Sequence, residues 1–253
     1  MESHDHLAGI AFTWPLVCSG IAALFTLIGG TIPLAHQKLS KNALAVLLAL
    51  SGGIMLSTSL NHMVRESFGS IGAISMVCVS FGFLLMYGLE KMTMVHACRE
   101  QDCHVHHFGG MALMGIGFHS FLDGFAIGVS LEFNLTLGLM VVLAVLLHRL
   151  PDGIAIATVM LANRYSTRKA WGFLSMLAGL AVAGTIVGLA SLFSGIELER
   201  FLSIAIGISA GTFIYIATSD LMPMAHEDPR DYRVPIAFIV GFLGILLTAF
   251  IYE

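Results

Sequence analysis

Residues His148, Arg149 and Asp152 stand in the segment HRLPDGIAIA, inside an apolar run from Thr136 to Ala162. The segment HSFLDGFAIG, 29 residues earlier, carries His119 and Asp123, so both share the pattern H-x-x-x-D-G-x-A-I. On a helix, residues four apart share one face, which puts each imidazole beside a carboxylate. Two imidazoles and two carboxylates converging on one point suit a divalent cation. Zn²⁺ is foremost, with Fe²⁺, Mn²⁺, Co²⁺ or Cd²⁺ admitted, whereas Cu(I) would want sulfur. The bland alternative is that these four are satisfied polar residues joining helices. Ionisable groups at membrane depth are rare and usually functional, and the matched spacing weighs against that reading.

Two neighbouring antiparallel helices must hold these residues at one depth, and the composition says where such helices lie. The 253 residues are 57% hydrophobic and 11% charged, which points to an all-α integral membrane protein rather than a soluble domain. Apolar stretches long enough to cross a bilayer are expected near 13–35, 43–62, 71–94, 110–131, 137–162, 170–193, 201–223 and 234–252. The fold class is an eight-helix bundle forming a single domain, 1–253. The segment MESHDHLAG has no Lys or Arg, so the first stretch reads as a retained span rather than a signal peptide.

With the N-terminus outside, inner loops hold Lys38, Lys41, Lys91, Arg99, Arg164, Arg168, Lys169, Arg230 and Arg233, and outer loops only Arg65 and Arg200. That bias places both termini outside. A multi-pass cell-membrane protein follows, and a bacterial inner membrane or a eukaryotic plasma or organelle membrane would serve equally. Lipid is its surroundings, no nucleic-acid partner is expected, and a homodimer is open. Cys18 and Cys78 fall in spans as small apolar side chains. Gly124 and Gly153, each following an Asp, allow close helix approach. Pro151 removes a helical donor and leaves the Leu147 carbonyl available to water or an ion.

These segments resemble the ZIP (Zrt-/Irt-like) family of metal transporters, whose fourth and fifth helices carry H-N-x-x-D-G-like and H-E-x-P-E-G-like motifs. Here they read HSFLDG and HRLPDG, and SGGIMLSTSLNHMVRE and SAGTFIYIATSDLMPMA extend the likeness to most of the chain. The resemblance implies a metal site between helices four and five with His119, Asp123, His148 and Asp152 as ligands. It also implies divalent metal uptake toward the cytoplasm and alternation by an elevator-like slide of one helix group. The family's second metal position uses an Asn, an acid and sometimes an acid of helix six. This chain has Ser120 and Arg149 there, and no acid in span six. Guanidinium offers donors only and cannot ligate a cation, so the second position is expected to be absent. Arg149 would instead balance the carboxylates, reaching Asp152 three residues on, or Asp123 or Asp220 across the bundle, or else point into a wet cavity.

His62 and Glu66 at the outer end of span two could be first contacts for a metal or a solvated helix end. Asp220, followed by His226 and Glu227, marks a plausible exit. The inner loop 96–110 gathers His96, Cys98, Cys103, His104, His106 and His107, which reads either as a weak metal-buffering site or as a solvated loop. Its spacing does not match a zinc finger.

Two rivals remain open. A metal-selective channel would use the same residues. An intramembrane zinc hydrolase needs an open coordination position for water, and the chain has neither H-E-x-x-H nor G-x-S-x-G. The expectation is therefore a transporter and not an enzyme.

Overall fold

The computed structural model describes residues 2–35, 40–97, 108–133, 135–192, 197–225 and 231–251. Nearly all of them are helical: α1 (Glu2–Ala35), α2 (Lys41–Thr58), α3 (Val64–Ile71), α4 (Ile74–Ala97), α5 (Phe108–Phe133), α6 (Leu135–Ala162), α7 (Thr167–Ser191), α8 (Leu198–Tyr215), α9 (Met222–Ala225) and α10 (Arg233–Ile251). Short π-helical segments, Ser59–Met63 and Ile216–Leu221, join α2 to α3 and α8 to α9. Among the described residues, seven helical stretches are long and apolar enough to cross a membrane. Arg233–Leu247 is a shorter apolar helix. The expected second span at 43–62 is extended by the π segment into one helical stretch, Lys41–Ile71.

Local chemistry marks the helix ends. Ser40 and Ser166 accept from the backbone N–H of Ala43 and Lys169, capping α2 and α7, which satisfies amides that would otherwise lack partners. Between α3 and α4 the chain reverses at Gly72, with φ +58° and ψ −138°, a conformation that glycine adopts without a Cβ penalty. Pro223 stands just after the second π segment, where its ring crowds the carbonyl four residues back and favours a wider turn.

The helices pack as two groups, α1, α5, α6 and α7 in one, and α2 to α4 with α8 to α10 in the other. Reciprocal glycine pairs hold each group together. A methyl on Gly124 would overlap the Ala181 carbonyl, and one on Gly184 the Phe121 carbonyl, across α5 and α7. Gly29 and Gly153 play the same part between α1 and α6, Gly82 and Gly211 between α4 and α8, and Gly53 and Gly241 between α2 and α10. In lipid there is no hydrophobic gain from bringing helices together, so such backbone contact carries much of the association. Where the groups meet at Gly115, the neighbours are instead the side-chain ends of Ile216 and Met86.

One consequence can be measured. Gly184→Val sets a branched side chain against a backbone carbonyl that has no rotamer to escape into, and should cost at least about 1–3 kcal/mol. Thermal unfolding in detergent should fall by several degrees, and an unchanged transition would contradict the α5–α7 contact.

Candidate metal site

The central helix is α5. Its apolar window Met114–Leu131 is 72% buried, against 28% for Ile74–Met92 on α4. α5 and α6 are antiparallel neighbours, so the level of His119 on α5 meets that of Asp152 on α6, and Asp123 meets His148. One donor atom from each of His119, Asp123, His148 and Asp152 lies within 4.8 Å of the others. His119 and Asp152 are each 2% exposed.

The carboxylate of Asp123 is the hub. Its Oδ2 lies 2.8 Å from His148 Nε2, 3.1 Å from His119 Nε2 and 3.0 Å from Arg149 Nη2. The His148 contact has hydrogen-bond geometry. His119 Nε2 does not, and it is buried with no hydrogen-bond partner among the described residues, as is Oδ2 of Asp152. A tetrahedral zinc with bonds near 2.0–2.1 Å needs donors roughly 3.3 Å apart. The distances from Asp123 to the two imidazoles are already close to that, and Asp152 lies within 4.8 Å of the other donors.

Arg149 is 1% exposed. Besides Asp123 it donates to Ser120, from Nη1 to Oγ at 2.7 Å and from Nη2 to the carbonyl at 2.9 Å. Ser120 in turn donates to the Leu177 carbonyl at 2.7 Å. Of the partners open to Arg149 from the sequence, which included Asp152 and Asp220, it is Asp123 that the guanidinium meets. The wet-cavity alternative does not hold. Pro151 lies inside α6, which runs continuously from Leu135 to Ala162, so the helix is not broken there.

A cavity of about 260 Å³ connects the site with α2 and α3; Thr58, His62, Glu66, His119, Asp123 and His148 all line it. His62 and Glu66 thus share one space with His119, Asp123 and His148, while Asp152 stands behind its wall. Asp220 is buried in the second π segment, with Oδ2 lacking a hydrogen-bond partner among the described residues. His96 lies in the last turn of α4, and its side chain is outside the described residues, as are Cys98, Cys103, His104, His106, His107, His226 and Glu227.

Three residues at or near this path were not anticipated. Ser209 lies 3.1 Å from His119 Nδ1, and the Phe213 ring packs on the same imidazole with centroids 4.1 Å apart. Glu90 on α4 is buried and accepts a hydrogen bond from Tyr215 of α8. An acid within the apolar stretch 71–94 was a signal for Glu90. Ser209 and Phe213 had none, because their relation to His119 exists only after the helices pack.

Residues 96–252 match the family model described as ZIP zinc transporter. Over 256 aligned residues the chain is 31% identical to the zinc transporter ZupT of Escherichia coli O7:K1 (strain IAI39 / ExPEC), covering 92% of this chain and 96% of that protein. This chain belongs to the ZIP family. As a ZIP protein whose described residues include seven apolar helices of membrane length, it is a multi-pass membrane protein. Two vertebrate ZIP proteins match a shorter part. Zinc transporter ZIP10 of Danio rerio is 30% identical over 163 residues, 60% of this chain and 19% of that protein. Zinc transporter ZIP6 of Homo sapiens is 31% identical over 163 residues, 60% of this chain and 21% of that protein. The chain spans about a fifth of the length of these two relatives.

Proposed function

We propose that this ZIP chain carries Zn²⁺ toward the cytoplasm through a single intramembrane site formed by His119, Asp123, His148 and Asp152. The observation behind this reading is the meeting of four donor atoms within 4.8 Å on two adjacent membrane helices. A cation there meets two carboxylates and two imidazoles, a set that favours zinc and admits Fe²⁺, Mn²⁺, Co²⁺ or Cd²⁺. The whole of 1–253 acts as one transport domain, with α10 as the eighth span and both termini outside. The excess of Lys and Arg in the loops assigned to the inside supports that orientation.

His62 and Glu66 receive the metal at the outer end of the cavity, and Asp220, followed by His226 and Glu227, takes it onward. Arg149 and Ser120 occupy the place of a second metal, so the site holds one ion. The glycine pairs within each helix group, against side-chain contacts between groups, favour a carrier in which one group slides past the other.

Zinc uptake by proteoliposomes tests the reading. Accumulation should saturate, and other divalent ions should compete; a rate rising linearly with zinc concentration would point to an open channel. The loop gives a second check. Replacing His104, His106 and His107 together by Ser should leave uptake largely unchanged while weakening metal binding outside the membrane region. Loss of uptake by correctly inserted triple variant would place the loop in the obligatory path.

A further inference from the structure

A histidine can ligate a cation through Nε2 only while that nitrogen carries its lone pair. In a neutral imidazole this requires the proton on Nδ1, and the partner of Nδ1 decides whether it stays there. For His119 that partner is the hydroxyl of Ser209, 3.1 Å away and fully buried. Nε2 is left pointing toward Asp123 with no hydrogen-bond partner of its own among the described residues. Phe213, one turn beyond Ser209 on α8, packs on the ring and restricts its rotation. Both supports come from the second helix group, whereas all four proposed ligands belong to the first.

We propose that Ser209 is a positioning residue for the transported metal. By accepting from Nδ1–H it holds His119 with Nε2 presented to the cation, and it can do so only while the two helix groups stand in this register. A displacement of one group past the other carries His119 away from Ser209 and Phe213. The imidazole then loses its fixed tautomer and orientation, and the site's hold on the metal weakens as the groups move. Affinity is thereby tied to position without any ligand leaving the first group. This inference rests on the metal site proposed above.

The test is initial-rate zinc uptake by proteoliposomes holding the full chain, with KM and maximal rate determined separately. Outer-shell partners of metal-binding histidines typically contribute 10–100-fold. Ser209→Ala should therefore raise KM roughly tenfold while the maximal rate is kept or increased, because the hydroxyl supports the loaded site and not the movement. Ser209→Thr, which keeps a hydroxyl, should return KM toward the unsubstituted value. Thr212→Ala removes another buried α8 hydroxyl, one that donates to the Ser209 carbonyl, and should leave KM unchanged. An unchanged KM in Ser209→Ala overturns the proposal, as does an equal rise in Thr212→Ala, which would mark a general effect of loosening α8. His119→Ala separates the two levels: its loss of uptake upholds the metal site independently of Ser209. Uptake with normal KM in that variant would overturn both the site and this role.

Discussion

His119→Ala or Asp152→Ala is expected to abolish zinc uptake by correctly inserted protein. Each removes one of four donors from a buried cluster in which no described neighbour offers a replacement within the same reach. The loss should exceed the roughly hundredfold upper range seen when only outer-shell partners change. Asp152→Ala is the cleaner of the two. Among the described residues Asp152 Oδ2 has no hydrogen-bond partner to orphan, whereas removing His119 also strands the Ser209 hydroxyl. Initial-rate uptake, normalised to inserted protein, gives the result directly; normal uptake by either variant would remove that residue from the ligand set.

The second large effect concerns Arg149, whose guanidinium is buried against Asp123 and Ser120. Without metal, two buried carboxylates share the site and Arg149 is the fixed positive charge beside them. Removing one partner of a buried ion pair typically costs about 3–5 kcal/mol. Metal-free Arg149→Ala should therefore melt well below the unsubstituted protein. Zinc brings in the missing positive charge, and ligand binding to the folded state raises stability. The zinc-induced rise in melting temperature should thus be larger in Arg149→Ala than in the unsubstituted chain. An equal or smaller rise would show that Arg149 does not offset the carboxylates. Arg149→Glu combined with Ser120→Asn should go further and begin to create a second metal position.

The grouping of His119, Asp123, His148 and Asp152 was legible in the sequence because its geometry is local. The spacing of His119 to Asp123 and of His148 to Asp152 fixes each pair on one helix face, and a short connection forces the two helices together. Arg149 was legible as an anomaly, a charge in an apolar run, but its partner was not. Choosing Asp123 over Asp152 or Asp220 depends on how α6 is rotated against α5, which no periodicity encodes. The same limit hid Ser209 and Phe213, since a serine and a phenylalanine in an apolar helix look like packing residues until a histidine is found against them.

Helix boundaries show a similar division. Pro223 announces a disturbance in the preceding turn, and a π segment lies there. Nothing comparable marks Ser59–Met63, and the extra length of that stretch, which carries the helix on to Ile71, could not be read from hydropathy. The two-group packing was invisible as well. Gly53, Gly82, Gly184, Gly211 and Gly241 are scattered through the sequence, and only their reciprocal contacts show them to be pairs.

Anomalous scattering at the zinc edge from crystals of the zinc-loaded protein tests the central claim most directly, because it locates each bound ion regardless of any held by the loop. One peak is expected in the membrane region, surrounded by His119, Asp123, His148 and Asp152, and disappearing in Asp152→Ala. A second peak beside Arg149, or a single peak elsewhere in the membrane region with these four side chains uncoordinated, would contradict the single-site account.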